Sequence, residues 1–244
     1  MEARKIDPPL IDPNRGALIA IVGVDGSGKS TLVTKLARSI GRVRPTEICY
    51  LGLGSADMRE RIASFGPPGR WLAAGMVKRA EQLKDKSKKI SGAATAIGSY
   101  WLTRQRLKRF HQAHALKNDG LIVITDRYPQ NEIMGFYDGP ILSAARAEGL
   151  IVKRLARAER QLYHEMAAIR PELVIKLVIN VDAALARSPD HMRHDIQRKA
   201  AAGAMLTFNN APCVEVDASH PLEQVFGAIE ALVFERMGIS ALGI

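Results

Sequence analysis

Residues 17–31, Ala-Leu-Ile-Ala-Ile-Val-Gly-Val-Asp-Gly-Ser-Gly-Lys-Ser-Thr, run from an unbroken apolar stretch into three glycines and then into Lys29, Ser30 and Thr31. The pattern reads as a strand, a phosphate-binding loop and the start of a helix. Gly23 and, after four residues, Gly28-Lys29-Ser30 match G-x-x-x-x-G-K-[ST], whose successive backbone N–H groups wrap around a nucleotide's phosphates. Gly23, Gly26 and Gly28 allow positive φ and close backbone approach, and Ser27 completes the loop. Lys29 is placed to reach the β- and γ-phosphates, and Ser30 to offer a hydroxyl to Mg²⁺. Thr31 and the helix N-terminus behind it add N–H groups and partial positive charge. The expected ligands are therefore a triphosphate and Mg²⁺. The bland alternative is a glycine-rich turn that fits by accident, and the flanks argue against it. Leu18–Val22 suits a strand buried on both faces, while Leu32, Val33, Leu36, Ala37 and Ile40 recur at helical spacing up to Gly41.

Further along, Glu47–Leu51 reads as a second strand and residues 57–118 as mostly helical. That stretch carries one stripe at Met76, Ala80 and Leu83, and an aromatic-rich one at Ile97, Tyr100, Trp101, Leu107 and Phe110 that reads as core. Asp119-Gly120 turns the chain into Leu121-Ile-Val-Ile-Thr, a β-branched strand that ends in Asp126-Arg127-Tyr128. In open α/β sheets ligands bind outside the carboxyl ends of the strands, so Asp126 and Arg127 are expected to face the same crevice as the phosphate loop. A strand-ending salt bridge is the competing reading. Residues 141–169 read as one long basic helix and Leu173–Val181 as a strand in which Lys176 is an oddity, at a groove or an edge. Asp182 reads as the cap of a short helix reaching Arg187. Ser188-Pro189-Asp190 breaks that helix, with Arg193, Arg198 and Lys199 following. Such a break suits a movable lid over about 185–205 that clamps phosphates, with Arg187 and Arg193 as its working cations, although a solvated helix surface fits the same residues. Cys213–Asp217 makes a fifth strand and Pro221–Met237 a last helix.

A chain of 244 residues with 47% hydrophobic and 5% aromatic residues can bury one large core, which makes residues 17–240 a single domain behind an extended, proline-bearing arm over 1–16. Two distant cysteines outside any C-x-x-C spacing suggest neither a disulfide framework nor zinc. No apolar run is long enough to span a membrane, and the first sixteen residues lack the apolar core of a signal peptide, so a cytoplasmic protein is expected. The net charge of +10 is spread over several helical segments with few aromatics among them, which argues against a single-strand nucleic-acid platform and for phosphorylated small molecules. A homodimer is left open.

Four motifs in this order, Gly23–Thr31, Asp126-Arg-Tyr128, Pro171-Glu-Leu-Val and Val216-Asp-Ala-Ser219, make the chain similar to thymidylate kinases. The resemblance covers most of the chain and implies a P-loop NTPase fold of the kinase type: an α/β protein with a five-stranded parallel sheet in order 2-3-1-4-5, flanked by helices and carrying a lid. It also implies ATP- and Mg²⁺-dependent phosphoryl transfer to a nucleoside monophosphate. By the same resemblance Asp25 would face the acceptor, Asp126 would hold the Mg²⁺ shell, and Arg127 would bind an acceptor or transferring phosphate beside Tyr128. Arg104 would match a phosphate-binding arginine of the preceding helix, and Asp217–Ser219 would lie by the adenine.

The acceptor side departs from that family. Val22 stands where a glutamate is usual, Gly52-Leu-Gly-Ser55 replaces an Arg-Glu-Pro-Gly loop, and Asn131 replaces a serine. Three readings follow. A monophosphate kinase would use Arg104 with Arg127 as a clamp. A kinase of a sugar, lipid head group or other hydroxyl compound would use Asp25 as base. A nucleic-acid-dependent ATPase would want a second carboxylate beside Asp126 to polarise water, which the sequence lacks.

Overall fold

The structure is a computed structural model, and it describes residues 11–12, 14–53, 93–144, 147–189 and 192–239. The helical reading of 57–92 with its Met76 stripe, the first ten residues of the arm, Gly54-Ser55 and Asp190 of the Ser188-Pro189-Asp190 break lie outside the described residues.

The quoted stretch forms β1 (Ala17–Gly23), the central strand, followed after the loop by α1 (Lys29–Ile40). Then come β2 (Thr46–Tyr50), α2 (Ala93–Asn118), β3 (Ile122–Asp126), α3 (Leu150–Ala168) and β4 (Leu173–Val178). The chain continues through α4 (Val181–Arg187), α5 (Arg193–Met205), β5 (Cys213–Asp217) and α6 (Leu222–Arg236). The five strands are all parallel in the expected order β2-β3-β1-β4-β5. Successive side chains of a strand point to opposite faces, so β1 feeds two cores at once. Ile19 and Ile21 pack under Leu32, Leu36 and Ile40 of α1 and Val225, Ile229 and Val233 of α6. Leu18, Ala20 and Val22 pack under Phe110 and Ala113 of α2 and Tyr163 and Met166 of α3. A run of Leu, Ile, Ala and Val without polar alternation is what a strand covered on both faces requires.

Register brings the chemistry to one end. Ile21 pairs with Asp126 and Gly23 with Leu177, so the loop after β1 and the carboxyl ends of β3 and β4 share one rim. Gly28, in the left-handed region at φ 84°, starts α1 without a side-chain cap, which leaves the first-turn N–H groups facing the loop.

Several local expectations are corrected. The helix expected over 141–169 begins only at Leu150, because Gly149 takes φ 85° and the carboxylate of Glu159 accepts the N–H groups of Leu142 (2.8 Å) and Ser143 (3.2 Å), holding that segment in turns. The cap of α4 is Asn180, whose side chain accepts the Ala183 N–H at 2.7 Å, while Asp182 sits in the first turn. Of the two places expected for Lys176 the edge is excluded, since it lies on an inner strand opposite Glu215 of β5, and the groove holds. Of the aromatic-rich stripe Phe110 is buried, but Ile97 and Trp101 are exposed, since α2 packs through the face of Ser99, Leu102, Arg106 and Phe110.

Glu159 is fully buried among Thr103, Tyr163 and the 141–143 turns, and burial pushes its carboxyl up to about 7 despite the N–H groups that favour its charge. A carboxyl raised on folding gives stability that is complete below its unfolded value and lost as pH rises through the folded one. Wild type is therefore expected to lose about 2 kcal/mol relative to Glu159→Gln between pH 5 and pH 8. Urea titration of both proteins at the two pH values checks this, and a constant difference would contradict it.

Candidate active site

The loop closes tightly over its own backbone. A Cβ on Gly23 would sit 2.7 Å from Ser27 Oγ and 2.9 Å from Leu177 Cβ, and one on Gly26, at φ 83°, would sit 2.6 Å from the Ala184 carbonyl oxygen. Neither position accepts a side chain without moving main chain. Ser27 is buried inside the turn, and Thr31 is exposed on the first turn of α1. Lys29 is buried and its Nζ donates to the Val24 carbonyl at 2.7 Å. Burial first, and then the Arg127 charge, hold its ammonium down at about 8.

Ser30 Oγ donates to Asp126 Oδ2 at 2.7 Å, while Asp126 Oδ1 is buried with no hydrogen-bond partner. A hydroxyl and a carboxylate with an uncommitted buried oxygen fit Mg²⁺, which takes hard oxygen ligands and fills its shell with phosphate oxygens and water. Among the described residues no cluster of three or more His, Cys, Asp or Glu forms an all-protein metal cage.

Beside this pair runs a chain of alternating charges. Arg106, fully buried on α2, donates to Asp138 Oδ1 (2.6 Å), to the Asp138 carbonyl (2.8 Å) and to the Tyr163 hydroxyl (2.7 Å). Arg127 lies 3.4 Å from Asp138 Oδ2 and 3.4 Å from Asp25 Oδ1, and Asp25 Oδ2 accepts a hydrogen bond from Lys199 of α5. Burial alone would raise the Asp25 carboxyl, but Lys199, with Lys29 and Arg127, holds it far below the usual carboxylate range. Asp138 is likewise held low by Arg127 and Arg106 against its burial, and Asp138 in turn strengthens the charge of Arg127. Arg127 adopts φ 76°, a left-handed conformation that swings its side chain out of the strand direction into the crevice.

The structure thus joins Asp25, Lys29, Ser30, Asp126 and Arg127 in one site and separates the others. Arg104 is exposed, and two positions along a helix turn about 200°, so it faces away from Arg106. Tyr128 is buried, its ring 5.8 Å from Phe110 and its hydroxyl donating to the Ile169 carbonyl at 2.8 Å, which makes it core rather than substrate contact. Arg187 donates to the carbonyls of Ala218 (2.8 Å), Ser219 (3.3 Å) and His220 (3.2 Å), bracing the loop after β5. Arg193 is paired with Asp182 at 2.5 Å and Arg198 stands 5.3 Å over the Phe136 ring. Of the cations that follow the break at 188–190, Lys199 of α5 is the one that reaches the phosphate loop, through Asp25. Arg106 could have been found from the sequence, because Leu102, Arg106 and Phe110 repeat at i, i+4 and i+8 and so share the buried face.

No protein-family model matches the chain. It is 36% identical over 230 residues to the uncharacterized ATP-binding protein YghR of Escherichia coli K12, with 91% of each chain covered. To the uncharacterized ATP-binding protein YghS of the same strain it is 38% identical over 216 residues, covering 86% of this chain and 90% of that one. The chain belongs to the YghR and YghS family. The fold of this YghR-family protein also matches deoxyadenosine kinase from M. mycoides with the products dCMP and dCDP, at TM-score 0.54 and 16% identity over 89% of this chain and 99% of that one. The same kinase with bound dATP gives TM-score 0.52 at 17% identity. The family member therefore shares the fold of that kinase.

Proposed function

We propose that the protein is an ATP-dependent phosphotransferase acting on the hydroxyl group of a small acceptor, with a nucleoside monophosphate as the second reading. The observation that carries the first part is the Ser30–Asp126 pair with its free buried Oδ1 beside the buried Lys29. The ATP-binding relatives support the nucleotide. Mg²⁺, held by Ser30 and Asp126, would supply charge neutralisation of the β- and γ-oxygens.

The acceptor is argued from the charge chain. A clamp for an acceptor phosphate needs two free cations, and among the described residues Arg106 is buried against Asp138 while Arg127 is shared between Asp138 and Asp25. The site instead offers a carboxylate, Asp25, at the mouth of the phosphate loop. In this reading Lys29 and the loop N–H groups hold the triphosphate, and Asp25 accepts a hydrogen bond from the acceptor O–H. Arg127 faces the phosphoryl group in flight. As the new P–O bond forms, the bond to the β-phosphate oxygen breaks, ADP departs and the hydroxyl proton leaves through Asp25 to solvent. A carboxylate held so far below its usual range is a weak base, which suits a loose transition state in which the proton leaves late and positioning does most of the work. The second reading, thymidylate-kinase-like transfer to a monophosphate, is favoured by the partial exposure of the Arg127 side chain.

A coupled ADP-release screen over nucleosides, sugars, other small alcohols and nucleoside monophosphates tests the reading. Turnover with hydroxyl compounds is expected, and turnover with monophosphates alone would replace the first reading by the second. The lid is tested by amide exchange across α5, which should slow when a non-hydrolysable ATP analogue is added. Unchanged exchange over residues 193–205 would show that this helix is not a lid. The reading sets the protein in the ATP-rich cytoplasm.

A further inference from the structure

Beneath α5, at the carboxyl ends of β1 and β4, lies a pocket with a volume of about 100 Å³. Its walls are Val22, Leu177, Ile179, Leu206 and Phe208, its upper end is bounded by Gly23, Val24 and Tyr137, and its floor carries Lys176. Val178, Ala204 and Glu215 are its exposed lining residues and mark its mouth at the β5 edge.

The polar groups define what fits. Lys176 is buried on β4 and has three N–H donors. One goes to Glu215 Oε1 at 3.0 Å and one to the Leu206 carbonyl at 3.2 Å, which leaves the third without a protein acceptor among the described residues. The Lys176–Glu215 pair is neutral as a unit, so an added carboxylate would bring an uncompensated charge into an apolar space, whereas a neutral oxygen takes the spare donor at no such cost. Tyr137, whose hydroxyl lies 2.3 Å from where a Cβ on Gly203 would be, adds a hydroxyl with no hydrogen bond among the described residues.

We propose that this pocket is a binding site for a small neutral molecule with an apolar body of about six to ten non-hydrogen atoms and one carbonyl or hydroxyl oxygen directed at Lys176. The site borders the phosphate loop at Gly23 and Val24 but is built around Lys176 of β4, and it does not depend on the kinase reading.

Three probes of matched size separate the possibilities: cyclohexanone, methylcyclohexane and cyclohexanecarboxylate, titrated into the full chain and followed by ¹H–¹⁵N chemical shifts. Cyclohexanone is expected to saturate with a millimolar Kd, shifting amides of α5 and β4, with the other two at least tenfold weaker. Lys176→Met should bring cyclohexanone down to the level of methylcyclohexane, and Ala200→Phe should abolish binding of all three. Ala204→Trp, at the exposed mouth, serves as the blocking variant if Ala200→Phe does not fold. Cyclohexanone binding no tighter than methylcyclohexane, tighter binding of the carboxylate, or binding untouched by the blocking variant would each overturn the proposal. ATP titration of Lys176→Met, expected to be unchanged, keeps this outcome apart from a failure of the nucleotide reading.

Discussion

Lys29→Ala should lower the rate of phosphoryl transfer by about a thousandfold while the fold stays in place. The rate effect follows from what replaces the ammonium, which is nothing: the loop N–H groups still cradle the phosphates, but no full charge meets the one that builds on the β- and γ-oxygens. The small structural effect follows from its partner. Lys29 makes one hydrogen bond, to the Val24 carbonyl, and losing it costs about 1 kcal/mol. The same residue sets a pH dependence. Because burial holds the ammonium down at about 8, the free protein loses this charge as pH rises through that value, so ATP affinity should fall between pH 7 and pH 9.5. Calorimetric titration with ATP at both pH values, beside kcat of the variant, checks the two statements. An active Lys29→Ala enzyme would remove the phosphate loop from the mechanism.

The second large effect separates the acceptor classes through Asp25 and Arg127. Asp25→Asn keeps the shape but leaves Lys199 and Arg127 without their shared carboxylate. With a hydroxyl acceptor kcat should then fall about a hundredfold or more, with ATP affinity nearly intact. With a monophosphate acceptor the attacking oxygen is already ionised, and loss of Arg127 should be the worse lesion. The Arg127 variant needs care. At φ 76° an alanine would be strained, so Arg127→Gly removes the guanidinium in a backbone conformation glycine accepts. It still leaves Asp138 with Arg106 alone, and removing one partner from a buried pair can cost about 3 kcal/mol, so kcat must be compared at a temperature where both variants are folded. A larger loss in Arg127→Gly than in Asp25→Asn would move the assignment to the monophosphate reading.

What was legible in the sequence divides along local and non-local lines. Strand β1, the loop and α1 follow from residues within one turn of each other, and the sheet order followed from resemblance to a family whose strands occur in the same sequence order. The resemblance points to Arg104, whereas the buried face that Leu102 and Phe110 define carries Arg106. Tyr128 was grouped with Asp126 and Arg127 by adjacency, yet the turn at Arg127 sends the next side chain back into the core. Asp138 and Lys199 meet Arg127 and Asp25 from 11 and 174 positions away in sequence, and no periodicity reports a meeting of that second kind. The long helix at 141–169 was misjudged because Glu159, a good helix former, also serves as an acceptor for the turns before it.

The central place of β1 bears on how the chain is made. Its neighbours are β3, whose residues come roughly a hundred positions later, and β4, roughly a hundred and fifty later. During synthesis the Leu-Ile-Ala-Ile-Val segment emerges early and waits, at about 5 to 20 residues per second, for on the order of ten seconds or more before either partner strand is available. Through that interval a five-residue β-prone apolar stretch has no sheet to join, which is the exposure that recruits chaperones or other nascent chains. Parallel pairings so distant also fold slowly once the chain is free. Refolding yield from denaturant should therefore fall steeply with protein concentration, and a fragment ending before Leu173 should be found in inclusion bodies rather than in solution.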